Sequence, residues 1–268
     1  MGGADGRTPA TIVQGADGPG CDGMTSAVRI AMWSGPRNIS TAMMRSFGAR
    51  ADCAVSDEPF YGAFLKDSGE QHPMAAESIA DMDCDWDSVT ATQSGPIPGG
   101  KSVWYQKHMP HHMVGPINIT DFPGHQHAFL IRAPERVVAS YRKKNELRRA
   151  EMLGFARLRE YFDLESDRTG KSPPVVDSED ILRNPAGVLA ALCDALGIPW
   201  DPAMLSWKKG PHPEDGVWGK HWYDKVNAST GFGSNPAPLP DLDGAYAEVA
   251  EQCREDYLAL KRHAITAN

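Results

Sequence analysis

The chain has little that would commit it to a metal, a membrane or a nucleic acid. Its five cysteines, Cys21, Cys53, Cys84, Cys193 and Cys253, are odd in number and form no C-x-x-C pair. That argues against a zinc site and against a disulfide framework, and fits a reducing cytoplasm. No segment approaches the roughly 18 consecutive apolar residues of a membrane span. The N-terminus also lacks a charged-then-apolar signal pattern, so a soluble, cytoplasmic protein is expected. Positive charge is the minority sign, 27 Lys and Arg against 35 Asp and Glu. The resulting net charge of -8 implies no general attraction to nucleic acid, and an anionic ligand has to be met by a local basic cluster. A G-x-x-x-x-G-K-[ST] phosphate loop is missing as well.

What is present is a length of 268 residues, enough for one large domain with a substantial core. Residues 1–26 are rich in Gly, Asp and Ala and cannot bury enough surface to offset the entropy of ordering, so they are read as a flexible tail before a single domain over 27–268. Residues 234–241, with three prolines, read as a loop ahead of a terminal helix. Ala27 to Trp33 is a short apolar run ending in a Ser-Gly-Pro turn, the pattern of a buried parallel strand entering a helix over Thr41 to Arg50. The unit recurs where His127 to Arg132 reads as a strand and Pro134 as a first helical residue. "CAVSDEPF", "SVWYQKH" and "PPVVDSEDI" are further strand candidates, the last followed by a helix from Pro185 to near Gly197. Alternating strands and helices predict an α/β fold, a central parallel sheet with helices on both faces, which binds ligands beyond the carboxyl ends of its strands.

The stretch "AMWSGPRNISTAMM", residues 31–44, lies at one such end. Residues 37–41 can turn backbone N–H groups, two hydroxyls and a guanidinium toward an anion at a helix N-terminus, although Ser, Thr and Asn are also ordinary cap residues. Arg132 ends a second strand, and Arg136 and Ser140 follow on one face of the next helix. Arginine binds phosphate oxygens bidentately, so a ligand with phosphates at both ends of a nucleoside fits two such sites. A nucleotide triphosphatase would also need a strand ending in an acidic residue to hold magnesium, and "HAFLIR" ends in arginine. A magnesium triphosphate is thereby disfavoured, and no metal is expected.

These residues resemble the 3′-phosphoadenosine 5′-phosphosulfate-dependent sulfotransferases. The family's first loop often reads Pro-Lys-Ser-Gly-Thr-Thr, and Pro36-Arg37-Asn38-Ile39-Ser40-Thr41 is similar to it. An arginine followed eight residues later by a serine is matched by Arg132 and Ser140. "VVDSEDILRNPAGVLAALCDALGIPWDP" resembles a later stretch, so the likeness covers about residues 28–210. It implies a three-layer α/β/α fold of the P-loop type. The 5′-phosphosulfate would be held by the first loop and the 3′-phosphate by Arg132 and Ser140. Arg37 stands for the usual lysine, and Ile39 for the usual glycine. A β-branched residue disfavours the left-handed backbone that glycine takes, so Ile39 marks a departure in the loop's path.

Sulfuryl transfer to an alcohol gains from a side chain that takes the acceptor proton. Glu58, in "SDEPFYG", resembles the Glu-Pro of carbohydrate sulfotransferases. His108, in "YQKHMPHHM", resembles the Lys-Thr-His-Leu-Pro of the cytosolic enzymes with one residue fewer. A histidine titrates near neutrality unaided, whereas a glutamate needs burial to raise its pKa. The unbroken match favours Glu58. By the same resemblance Arg37 stabilises the leaving phosphate, Lys107 assists or is a surface lysine, and Lys209-Gly210 is a remnant of a late Arg-Lys-Gly loop on the 3′-phosphate. Trp218, Trp222 and Phe232 are candidates to pack on adenine or acceptor, or are core aromatics. The expected activity is transfer to a hydroxyl or amine of a small-molecule acceptor. A small-molecule kinase or nucleotidase on the same fold, or a catalytically silent nucleotide-binding protein, is the alternative. His108, His111 and His112 have the spacing of zinc ligands on a helix, but Pro110 interrupts it. "DMDCDWD", residues 81–87, lacks the glycine and glutamate of a calcium loop and reads as a solvated acidic turn.

Overall fold

A computed structural model of the protein describes Met1, residues 27–233 and residues 237–267. Apart from Met1, the tail predicted over 1–26 lies outside the described residues, as does part of the predicted 234–241 loop. Five strands, β1 (Val28–Ser34), β2 (Cys53–Asp57), β3 (Val103–His108), β4 (Gln126–Ile131) and β5 (Val175–Asp177), form one sheet in the order β2-β3-β1-β4-β5. Every pairing is parallel. Parallel neighbours need crossovers, and the chain supplies them as helices. These are α1 (Ser40–Gly48), then α2 (Tyr61–Ser68), α3 (Ala75–Asp81) and α4 (Trp86–Ser94). After β4 come α5 (Pro134–Tyr141) and α6 (Phe155–Thr169), and after β5 come α7 (Ser178–Arg183) and α8 (Pro185–Ala195). The short α9 (Gly219–Trp222) and α10 (Asp224–Asn227) interrupt the long segment beyond, and α11 (Gly244–Gln252) and α12 (Arg254–Lys261) close the fold.

Side chains alternate across a strand, and the sheet uses both faces. Ile30, Met32, Tyr105, Ala128 and Leu130 point to one face, where Met43, Met44 and Phe47 of α1 and Val188, Leu189 and Leu192 of α8 cover them. Ala31, Trp33, Phe129 and Ile131 point to the other, under Trp86 and Val89 of α4 and Leu158, Tyr161 and Phe162 of α6. Burial on both faces explains why these strands read as continuous apolar runs. Helix starts follow local chemistry: Asn184 Oδ1 accepts from Gly187 N–H at 3.0 Å ahead of Pro185, and Pro134 opens α5.

Two predicted strands are shorter than expected. In "CAVSDEPF" the strand stops at Asp57, because Glu58 takes a left-handed φ of 46° and Pro59 follows. In "PPVVDSEDI" only Val175–Asp177 is extended; Asp177 then caps α7 by accepting from Glu179 N–H at 2.7 Å. The acidic stretch 81–87 is a helix junction in which Asp85 Oδ1 accepts from Ser88 N–H at 2.8 Å.

Candidate functional site

The carboxyl ends of β1, β2, β3 and β4 open on a cavity of about 690 Å³, within the usual range for small-molecule sites. Its first wall is the turn between β1 and α1. Gly35 is required there, since a Cβ at that position would lie 2.4 Å from the Leu153 carbonyl oxygen. Arg37 and Ile39 both adopt left-handed backbone, with φ of 63° and 58°. Ile39 is thus held in the conformation that a glycine would take, at a cost of roughly 1–2 kcal/mol. Its side chain packs on the core beneath α1, which offsets part of that cost. No side chain caps α1, so the N–H groups of its first turn face the cavity's anion end without a side-chain acceptor.

Around this turn Arg37 Nε donates to Ser140 Oγ at 3.0 Å, and Arg132 Nη1 donates to the Arg37 carbonyl at 2.8 Å. Arg132 Nε is buried with no partner among the described residues. Burial, with Arg136 and Arg37 beside it, pushes the Arg132 guanidinium down to about 10, and burial also lowers Arg37. Arg136 is paired with Glu179. Among the described residues neither Arg37 nor Arg132 is within salt-bridge distance of a carboxylate. Like charges gathered in a low-dielectric recess without counterions repel one another and attract an anion.

Register builds the other end. Asp57 on β2 lies beside Lys107 on β3, and Met32 on β1 flanks Lys107 on the far side. Lys107 Nζ donates to Asp57 Oδ1 at 2.8 Å, Glu58 Oε1 at 2.6 Å and Tyr223 OH at 2.8 Å, which uses all three ammonium protons. Tyr223 OH donates in turn to Asp57 Oδ2 at 2.7 Å and accepts from Trp218 Nε1 at 3.2 Å. Two carboxylates keep the Lys107 ammonium well above its ordinary value despite full burial. Burial raises Asp57, which Lys107 only partly opposes, and raises Tyr223. Glu58 Oε2 is 3.7 Å from His112 Nδ1, beyond hydrogen-bond distance.

The structure brings Pro36, Arg37, Ile39, Ser40, Thr41, Glu58, Lys107, Arg132 and Ser140 to this one cavity, with Trp218, Trp222 and Phe232 also on its wall. Three expectations are corrected. His108 lies off the wall, because successive residues of a strand face opposite ways. Lys107 reaches the cavity, while His108 stacks on Trp33 at 4.7 Å on the other face of the sheet. Burial lowers that imidazole well below 6.5. Asn38 turns inward, donating to the Leu130 carbonyl at 3.2 Å, so its side chain ties the turn to β4 and lies off the cavity wall. Lys209 is exposed and off the wall. Lys107 itself is 1% exposed and is no surface lysine. Sequence reasoning missed Asp57, Tyr223, Tyr61 and His72. The strand register could have shown Asp57; Tyr223, 116 residues from Lys107, carries no local signal. The three histidines of the zinc-like spacing separate, since His111 and His112 sit in a 3-10 turn against Phe64 while His108 ends β3.

Residues 28–264 match the sulfotransferase-domain family. Two curated Arabidopsis thaliana proteins, branched-chain-amino-acid aminotransferase-like proteins 2 and 1, are 35% and 37% identical over 240 residues, 87% of this chain. The chain spans only 41% and 42% of their lengths. Among solved structures, the sulfotransferase domain from the curacin biosynthetic pathway is 12% identical at a TM-score of 0.45, covering 85% of this chain and 98% of that one. A sulfotransferase from Alicyclobacillus acidocaldarius is 12% identical at a TM-score of 0.45, covering 67% and 88%. No helix among the described residues is long and apolar enough to cross a membrane.

Proposed function

The chain belongs to the sulfotransferase-domain family, and from that premise we propose that it moves a sulfuryl group from 3′-phosphoadenosine 5′-phosphosulfate to a hydroxyl of a small-molecule acceptor. The observation that carries this reading is the pair Arg37 and Arg132, neither facing a carboxylate among the described residues, at the open N-terminus of α1. In it, Arg37, Ser40, Thr41 and the first-turn N–H groups hold the 5′-phosphosulfate, and Arg132 with Ser140 holds the 3′-phosphate.

Transfer is an in-line displacement. The acceptor oxygen bonds to sulfur as the bond from sulfur to the 5′-phosphate oxygen breaks, and that electron pair stays on the nucleotide. Arg37 stabilises the charge that develops there. Glu58 takes the acceptor proton, and Oε2 is the oxygen placed to do so, because Lys107 occupies Oε1. His108 has no part in the step.

Calorimetric titration with 3′-phosphoadenosine 5′-phosphate tests the reading. Saturable binding is expected, and no binding by folded protein ends it. Arg132→Ala is expected to weaken that binding about 10- to 100-fold, as for a lost charged hydrogen bond, and to affect adenosine 5′-phosphosulfate far less because it lacks the 3′-phosphate. Tighter, magnesium-dependent binding of ATP would point instead to a kinase.

A further inference from the structure

Beyond Glu58 the main cavity is walled by rings. His112 stacks on Tyr61 at 4.9 Å and on Phe64 at 4.5 Å, His111 meets His112 at 4.4 Å, and Tyr61 OH lies 3.0 Å from His72 Nδ1. Burial lowers the imidazoles of His72, His111 and His112, so this wall is uncharged near neutral pH. The carboxylates at this end are already engaged by Lys107. Two carboxylates share one ammonium there and Glu58 Oε2 is left open, so an anionic acceptor finds no free cation on these residues.

A second cavity, of about 440 Å³, adjoins the first and shares His72, His111 and Tyr141 with it. Phe64, Met113, Met152 and Ala156 give it apolar surface, and the exposed Glu70, Arg149, Glu151, Arg157 and Glu160 also line it. At the junction His111 Nδ1 is buried with no hydrogen-bond partner among the described residues. It lies on the second cavity's side, where a Cβ at Gly154 would come within 3.3 Å of it.

We infer that the two cavities together take one elongated alcohol. Its reacting hydroxyl lies at Glu58 and its apolar body passes His111 into the second cavity. This rests on the sulfuryl-transfer reading for the identity of the reacting end.

The test titrates straight-chain primary alcohols of increasing length into protein saturated with 3′-phosphoadenosine 5′-phosphate, so that no turnover is needed. Alcohol affinity is expected to rise roughly fourfold per methylene until the second cavity is filled. Ala156→Trp, a change at an exposed helix position on the second cavity's wall, is expected to remove the gain for long alcohols at least tenfold and leave short ones unchanged. Flat length dependence, or an Ala156→Trp variant with the wild-type length profile, overturns the inference while the nucleotide reading stands. Failure to bind the bisphosphate overturns both.

Discussion

The two ends of the cavity handle charge in opposite ways. At the α1 end, Arg37 and Arg132 sit together with their electrostatic demand left open. At the Glu58 end, Lys107, Asp57, Glu58 and Tyr223 close on one another, and every proton of the ammonium is used. An open cationic end is a binding device, completed only by an anion. A closed end is already satisfied before any ligand arrives, and its task is to hold one carboxylate in place. Backbone strain follows the same division of labour: Arg37, Ile39 and Glu58, three of the four non-glycine residues with positive φ among the described residues, all line the cavity. Such conformations persist where the surroundings over-determine them.

The largest effect that would break this comparison is on turnover. Glu58→Gln keeps the side chain's shape and removes the proton acceptor, so kcat is expected to fall about 10²- to 10⁴-fold. The dissociation constant for 3′-phosphoadenosine 5′-phosphate should move less than twofold, because Glu58 belongs to the other end. Parallel calorimetry and single-turnover rates check this, and a matched loss of binding would show the ends are not separate.

Next in size is stability. Lys107→Met strands Asp57 and Glu58 in the interior without a cation, and urea denaturation is expected to show a loss of about 3–5 kcal/mol. Adding Asp57→Asn should recover part of it. Arg132→Ala should cost under about 1 kcal/mol in the absence of ligand, since it removes repulsion along with one hydrogen bond. Equal costs at the two positions would erase the distinction.

Acid separates the ends further. Burial lowers six histidines: His125 and His127 to about 4, and His72, His108, His111 and His112 below 6.5. A base whose folded pKa is depressed contributes stability in full above its unfolded value near 6.5. That contribution drains as pH falls from there toward 4, because the unfolded chain takes up protons the folded one refuses. Burial also raises Asp57 and Asp256, which act in the opposite sense but are two groups against six. The thermal midpoint is therefore expected to drop steadily between pH 6.5 and 4. Affinity for the bisphosphate should stay nearly flat from pH 8 to 6.5, since the arginines do not titrate there.

The sequence made the open end legible because both halves of it are local. The turn lies between one strand and its helix, and Arg132 and Ser140 span a single strand-helix junction. Parallel topology was legible from apolar runs that match burial on both faces. The closed end was not, because it is made across strands. Asp57 meets Lys107 only through the β2–β3 register, and Tyr223 arrives from a segment without a periodic pattern. His108 was misplaced for a related reason: resemblance ranks neighbours along the chain, whereas the pleat sends Lys107 and His108 to opposite faces.

Ile39 carries the smallest expected effect. Its left-handed backbone costs roughly 1–2 kcal/mol relative to an unstrained residue, and Ile39→Gly removes that strain. The same change deletes a half-buried side chain packed on the core and loosens the unfolded chain, which together cost about as much. The expected net change in unfolding free energy is therefore under about 1 kcal/mol, of either sign. Ile39→Val keeps the strained β-branched backbone and loses a methylene, so it should destabilise by about 0.5–1.5 kcal/mol. The pair is informative through its order: if Ile39→Gly proves far more damaging than Ile39→Val, the side chain anchors the turn and the left-handed backbone is its consequence. If Ile39→Gly is the milder change, the turn dictates the conformation and isoleucine is tolerated within it.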